Sequence, residues 1–331
     1  MKLLSILLAY ACSALFIAEL SAAAVVNAPA RAPDNTTAFA LSGRVENMCP
    51  TRAPIPKAIR TNEYEDLIKY YKYAYAAYSE KCLFPNQANG VRVTTSVFNN
   101  TVIYGLASGA GYIAVDDTKR EYIIAYHGTK SVNDTRDDLK IGLRKFSVAG
   151  ITVPKDVRVH EGFRDVYFRN DGHNTLINLL TKEFKRNPGY SIVTTGHSLG
   201  GAVASIAGVI LRRTLKVPVK IYTYGQPRTG NAAYAQWVED GVDLSNIFRS
   251  VNRNDPFPHV PTTLRGYMHH GTEYWTCGEG NTAADTRECS LPEQPNCSRD
   301  ITTATPDIGS RPHRDYFGLP GNLEFCDQRR F

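Results

Sequence analysis

The sequence predicts an α/β fold in which helices pack on a mostly parallel central sheet. Short apolar runs typical of buried strands alternate with stretches of helical periodicity along most of the 331 residues. One such run, residues 192–195, is soon followed by a helix-like stretch that begins at Leu199. No internal repeat breaks the pattern, so we expect one domain with enough length for a full core.

The order of elements follows from periodicity and turn residues. Aromatic and apolar residues predict a helix over 64–78, with Thr61 or Asn62 as its N-cap. Residues 111–115 and 121–126 predict a hairpin that starts the sheet. The later elements are one long helix over 160–184, a strand over 192–195, a helix from 199, a strand over 217–224, a helix over 232–238 and a strand over 247–251.

The segment between the strand at 192–195 and the following helix reads Gly196-His197-Ser198-Leu199-Gly200. A G-x-S-x-G sequence between a strand and a helix is typical of a nucleophile elbow. The two glycines let strand and helix pass closely, and the turn projects the Ser198 hydroxyl outward. The Leu199 backbone N–H then lies at a helix N-terminus, where it can bind a developing oxyanion.

A serine hydroxyl needs a base and an acid that orients the base, and an elbow serine is followed by the acid and then by the histidine. Asp255 follows the predicted strand 247–251, where acids of open α/β sheets gather. Four histidines follow the elbow, and the residues by themselves leave the choice open between His313 in a late loop and the other three. Those three are His259, His269 and His270.

Several segments in a fixed order resemble the class 3 lipases, a family of fungal triacylglycerol lipases that includes feruloyl esterases. The resemblance extends from about residue 64 to residue 326 and implies an α/β-hydrolase fold with a short lid helix. It assigns Ser198 as the nucleophile, Asp255 as the orienting acid and His313 as the base. The matching segments are residues 76–78, 125–129, 159–163, 195–202, 224–231, 254–261 and 313–318.

The resemblance also places the second oxyanion donor and the lid. Thr129, directly after the strand over 121–126, corresponds to the oxyanion residue. Residues 131–140 correspond to the lid, whose apolar residues here are only Val132 and Leu139. Asn133 begins a glycosylation sequon within the lid, as do Asn35, Asn99 and Asn296 elsewhere. Because a polar lid gains little from contact with lipid, we expect weak interfacial activation.

Residues 1–24 have the composition of a secretory signal peptide, so we expect a secreted, extracellular protein without a transmembrane anchor. A retained anchor is the alternative, although Glu19 interrupts the apolar stretch and no basic cluster follows it. Residues 25–60 are rich in Ala, Pro, Asn and Thr and are interpreted as an extension or linker. The lipase-like domain is then expected over 61–331.

Cysteine usage indicates an oxidising compartment. Loss of the signal peptide removes Cys12 and leaves six cysteines, an even number that allows three disulfides but fifteen pairings. The resemblance implies that Cys82 pairs with Cys326 and Cys289 with Cys297. The remaining pair is Cys49 with Cys277.

The formal net charge of +6 comes from evenly spread residues and favours anionic interfaces or cell walls over nucleic acid. No phosphate-binding loop or zinc spacing stands out, so we infer no cofactor and no metal. We expect a monomer that hydrolyses carboxylic esters, with triacylglycerol as the first choice of substrate. The polar lid favours a feruloyl or other cell-wall esterase as the alternative, and an inactive secreted binding protein is the alternative outside enzymes.

Overall fold

A computed structural model describes residues 48–50, 55–78, 92–97, 100–106, 108, 110–129, 142–301 and 311–319. The expected signal peptide and lid lie outside the described residues. So do the sequons at Asn35, Asn99 and Asn133 and the pair Cys82 with Cys326.

The described residues form two sheets and six α-helices, the last of them a single turn. The strands are β1 Lys57–Ala58, β2 Arg92–Val97, β3 Asn100–Gly105, β4 Gly111–Asp116, β5 Glu121–Tyr126, β6 Leu143–Lys145, β7 Arg158–His160, β8 Ser191–His197, β9 Val219–Tyr224, β10 Gly230–Asn231, β11 Ile247–Asn252, β12 Tyr267–Met268, β13 Thr272–Thr276 and β14 Thr286–Cys289. The helices are α1 Thr61–Ala76, α2 Glu161–Phe168, α3 Gly172–Arg186, α4 Leu199–Leu215, α5 Ala232–Val242 and α6 Arg311–Arg314.

The main sheet has ten strands in the order β1-β14-β13-β11-β9-β8-β5-β4-β3-β2. Its centre, β13-β11-β9-β8-β5, is parallel throughout, which confirms the α/β prediction. The outer strands pair antiparallel and include β2 and β3, which precede the predicted hairpin. Because the carboxyl ends of parallel strands meet at one edge, the residues that follow β5, β8, β9 and β11 gather there.

Alternating side chains of the central strands pack into two cores. On β5, Ile124 and Tyr126 belong to one core, together with the apolar faces of α2, α3, α4 and α5. Ile123 and Ala125 belong to the other, which α1 covers with its tyrosines and with Phe317. Successive side chains of β5 point to opposite faces of the sheet, and each face packs into one of the two cores. Both faces of β5 are therefore apolar.

The helix expected over 160–184 is two helices. The break falls at residues 169–171, where Asn170 and Asp171 have φ values of 52° and 57°. Left-handed backbone cannot continue an α-helix, and Asn and Asp tolerate it better than most residues. The N-cap expectation for α1 is also wrong, since the helix already includes Thr61; instead the Glu63 carboxylate accepts the Arg60 backbone N–H at 3.0 Å.

The compact unit begins at Met48, earlier than the expected boundary at residue 61. Cys49 is joined to Cys277, and β1 pairs with β14 at an edge of the main sheet. Cys289 is joined to Cys297, so two of the implied disulfides are present in the described part of the chain. Strand β1 was not predicted, because it has only two residues and the residues around it have the composition of a turn.

A four-stranded antiparallel sheet, in the order β12-β10-β7-β6, was not predicted. Its strands have two or three residues each, too few for a visible alternation. The sheet lies near the carboxyl edge of the main sheet, because the segment after β9 leads directly into β10. No helix among the described residues is both long enough and apolar enough to cross a bilayer.

Buried histidines make the fold sensitive to acid. Burial lowers the pKa of His160, His197 and His270 to about 3, against about 6.5 for an unfolded chain. The unfolded state therefore binds more protons than the folded state between these pH values. Stability is fully present above pH 6.5 and is lost as the pH falls toward 3, by up to about 1.4 kcal/mol per pH unit for each histidine.

We predict that His270→Leu weakens this acid dependence. His270 is fully buried, and neither ring nitrogen has a hydrogen-bond partner in the part of the chain that the structure describes, so leucine removes a proton-binding site without removing a bond seen there. Denaturant unfolding between pH 7 and pH 5 should show a slope of unfolding free energy against pH that is smaller by up to roughly 1.4 kcal/mol per unit. His173→Leu, at a half-buried position, should change the slope less. Equal slopes for wild type and His270→Leu would contradict the assignment.

Candidate active site

The G-x-S-x-G segment forms the expected turn between β8 and α4. Ser198 has φ 58° and ψ −132°, a strained conformation for a residue with a side chain. A Cβ on Gly196 would overlap the Gly200 carbonyl, and a Cβ on Gly200 would overlap the Tyr126 carbonyl. Both positions therefore require glycine for strand and helix to pass this closely.

Ser198, His313 and Asp255 lie in one hydrogen-bonded row although they come from distant parts of the chain. Ser198 Oγ is 2.9 Å from His313 Nε2. His313 Nδ1 is 3.0 Å from each of the two Asp255 carboxylate oxygens. The carboxylate can only accept, so the Nδ1 proton is fixed and Nε2 is left to accept the Ser198 proton.

The Asp255 carboxylate is completely buried yet held in its ionised form. Burial by itself raises the pKa of this carboxyl, but the adjacent His313 and the hydrogen bonds to the carboxylate outweigh it and lower the pKa. Two of these bonds come from Tyr316 Oη at 2.7 Å and from the Phe257 backbone N–H at 3.0 Å. The arrangement supplies a fixed negative charge behind the imidazole.

Of the two expected oxyanion donors, Leu199 directly follows Ser198, and Thr129 follows a glycine that approaches Ser198. Leu199 is the first residue of α4, so its N–H has no partner within the helix. Thr129 follows β5, and its neighbour Gly128 is so close to the elbow that a Cβ there would lie 2.9 Å from Ser198 Cβ. The loop after β5 and the start of α4 therefore border the same space next to Ser198 Oγ.

None of the three alternative histidines has a hydrogen bond to Ser198 among the described residues, and two of them, His269 and His270, are buried. His269 Nε2 donates to the Pro258 carbonyl at 2.6 Å. His270 packs edge-on against Tyr234, and burial lowers the pKa of His259. The structure thus brings His313 alone of the four candidates to the nucleophile.

Sequence reasoning missed several side chains that hold the row in place. Tyr316 was noticed only as part of a matching segment, and Phe257, whose ring stacks 3.9 Å from that of His313, was not singled out. His197 was set aside as a base because it adjoins the elbow, and it does not contact Ser198 through a hydrogen bond. Its Nε2 instead meets the His313 carbonyl at 2.6 Å.

One group in the described part of the chain has the spacing of metal ligands. It consists of Glu273, Cys289 and Cys297. The two sulfurs are joined to each other, and Glu273 accepts hydrogen bonds from Arg249 and from the Ser298 backbone N–H at 3.0 Å each. A disulfide does not bind metal as thiolates do, so these residues form a structural cluster.

The known proteins that resemble this chain include lipases. A family model described as "Lipase (class 3)" matches residues 123–265, which include Ser198 and Asp255. The secreted mono- and diacylglycerol lipase A of Penicillium cyclopium is 29% identical over 276 residues, which are 76% of this chain and 80% of that protein.

Solved structures extend the likeness over the fold. A Yarrowia lipolytica lipase is 26% identical with a TM-score of 0.66, over 80% of this chain and 97% of that chain. A triacylglycerol lipase described as having a serine protease triad at its catalytic centre is 25% identical with a TM-score of 0.63, over 82% and 99%. This chain is therefore a carboxylic ester hydrolase with the α/β-hydrolase fold, and its residues 123–265 match the class 3 lipase family.

Proposed function

We propose that the protein hydrolyses acylglycerol esters through an acyl-enzyme formed on Ser198. The observation that carries the proposal is the unbroken row from Ser198 Oγ through both nitrogens of His313 to the buried Asp255 carboxylate. A nucleophile, a base and an orienting acid at these distances are the parts that acyl transfer needs.

The proposed reaction has two halves. In the first, Ser198 Oγ attacks the ester carbonyl while its proton moves to His313 Nε2, and the Leu199 N–H and Thr129 stabilise the oxyanion. The alcohol then leaves with the proton from His313. In the second half, His313 takes a proton from water, whose oxygen attacks the acyl carbon. The second tetrahedral intermediate then collapses, and His313 returns the proton to Ser198 Oγ as the acid is released. Asp255 stabilises the imidazolium in both halves.

Triacylglycerol is the proposed first substrate, supported by the family and by the described activity of one structural relative. Mono- and diacylglycerol form the second candidate, because the Penicillium relative is named for them. The esterase alternative depends on the lid over 131–140, which lies outside the described residues. We also propose secretion, which the two disulfides and the name of the Penicillium protein support.

A chain-length series of mono-, di- and triglycerides separates these substrates. Assayed below and above the solubility limit, wild type should cleave long-chain emulsions, and Ser198→Ala should lose nearly all turnover because no other group can form the acyl-enzyme. Ser205→Ala is the matched control, since it removes a buried hydroxyl on the same helix that bonds only to Ala202 and Tyr234 in the described structure.

Each outcome of the series is informative. Cleavage of long-chain mono- and diglycerides without triglycerides would replace the first substrate by the second. Cleavage of soluble aryl esters alone would favour the esterase, and undiminished turnover by Ser198→Ala would refute the proposed nucleophile.

Asp255→Asn should lower kcat by roughly 10³- to 10⁴-fold while the fold is retained. The amide can donate a hydrogen bond to His313 Nδ1, which would place the imidazole proton on Nε2 and leave the Ser198 hydroxyl without an acceptor. Steady-state kinetics on a soluble ester, with circular dichroism as the folding control, measures this. A loss smaller than tenfold would show that Asp255 does not set the tautomer.

A further inference from the structure

The short helical turn that contains His313 cannot supply hydrogen bonds to all of its own backbone carbonyls. Helix α6 has four residues, and the last four carbonyls of any α-helix have no partner within the helix. The Arg311 carbonyl accepts the Asp315 N–H at 2.9 Å, which leaves the following carbonyls without a backbone partner of this kind. Groups of other elements can supply the hydrogen bonds that these carbonyls lack within the helix.

Three buried side chains from other elements fill this need, and we call them the carbonyl cradle: Asn252, His197 and Tyr71. Asn252, the last residue of β11, donates from Nδ2 to the Pro312 carbonyl at 3.0 Å and to the Asp315 carbonyl at 3.2 Å. His197, at the end of β8, donates from Nε2 to the His313 carbonyl at 2.6 Å. Tyr71 of α1 donates to the Arg314 carbonyl at 2.7 Å. Four consecutive carbonyls are thereby bound.

When its ring is neutral, His197 can donate this hydrogen bond in only one tautomer. The His313 carbonyl accepts, so His197 Nε2 must carry a proton. Nδ1 lies 2.8 Å from the Tyr78 hydroxyl, which donates to it when the ring is neutral. Burial, and then the neighbouring His313, lower the pKa of His197 to about 3, so the ring stays neutral while the enzyme turns over.

We propose that the carbonyl cradle positions His313, with Tyr78 fixing the tautomer of His197. His197 and Tyr71 are positioning residues, because in the described structure neither is hydrogen-bonded to Ser198 or to a ring nitrogen of His313. They bond instead to the His313 and Arg314 carbonyls, and the His197 ring also packs 4.5 Å from the His313 ring. Displacement of a base by about 1 Å can cost about a hundredfold in rate, so bonds to the backbone on both sides of the imidazole bear directly on kcat. The proposal rests on the proposed function, because it takes His313 as the base.

The test compares two tyrosines that lose the same kind of bond. Tyr71→Phe and Tyr112→Phe each remove a fully buried hydroxyl that donates to a backbone carbonyl, Arg314 in the first case and Tyr73 in the second, at 2.9 Å. Both variants should lose similar thermal stability. On a soluble ester, Tyr71→Phe should lower kcat roughly 10-fold with KM nearly unchanged, whereas Tyr112→Phe should keep the wild-type kcat.

His197 supplies the second comparison. His197→Phe keeps a ring but no donor, and should lower kcat roughly 10- to 100-fold. His197→Gln can place an amide N–H near the former Nε2 position and should recover much of that loss. Tyr78→Phe, which frees the tautomer, should fall between wild type and His197→Phe. If His197→Phe does not fold, the tyrosine pair and the glutamine variant still decide the question.

Kinetics normalised to the fraction of active enzyme separate the outcomes. Equal kcat for Tyr71→Phe and Tyr112→Phe, or no recovery by His197→Gln over His197→Phe, would overturn the cradle as a positioning device. Failure of the proposed function looks different, because Ser198→Ala would then keep its activity. If Ser198→Ala is inactive while the cradle variants keep the wild-type kcat, the proposed function stands and only the positioning role of the carbonyl cradle is rejected.

Discussion

The structure depends on one close crossing, where β8 turns into α4 across two glycines. That crossing forces Ser198 into a left-handed backbone conformation, which costs of the order of 1–3 kcal/mol and persists only because strand and helix are both fully packed. The parallel sheet supports it, since β8 lies between β5 and β9. The loops that carry Thr129 and Asp255 follow strands at the same edge, so the topology of the sheet brings together the proposed nucleophile, one proposed oxyanion donor and the proposed acid.

Burial sets the electrostatics of this edge. Asp255, His313 and His197 are each at most 3% exposed, so every polar atom among them must find a partner or bear a desolvation cost. The carboxylate meets this demand with donors from His313, Tyr316 and the Phe257 backbone. The His197 ring stays neutral, and its two nitrogens are hydrogen-bonded to the His313 carbonyl and the Tyr78 hydroxyl. The site therefore contains one strong fixed charge, on Asp255, with neutral donors arranged around it.

The sequence predicted the parts of the site that local patterns specify. A glycine-flanked serine between a strand and a helix needs no distant information, and Asp255 after β11 follows from sheet topology. The choice of His313 over His259, His269 and His270 required the family resemblance, because nothing local distinguishes a loop histidine that faces a serine from one that is buried. The geometry agrees with the resemblance here.

The rest depends on contacts between distant residues. Tyr71 and Arg314 are 243 positions apart and His197 and His313 are 116 apart, so no window of sequence reveals the carbonyl cradle. The tyrosines of α1 pack their rings into the core, and the hydroxyl of one of them, Tyr71, also bonds the Arg314 carbonyl next to His313. The break between α2 and α3 and the two-residue β1 were missed because positive φ and very short pairing leave little trace in hydrophobic periodicity.

Covalent trapping of the nucleophile tests the central claim most directly. A phosphonate ester that reacts only with an activated serine should label one peptide, and mass spectrometry should place the adduct on Ser198. Labelling should vanish in Ser198→Ala and slow markedly in Asp255→Asn, because the tautomer of His313 sets the rate of attack. An adduct on another residue, or equal labelling rates in wild type and Asp255→Asn, would contradict the account.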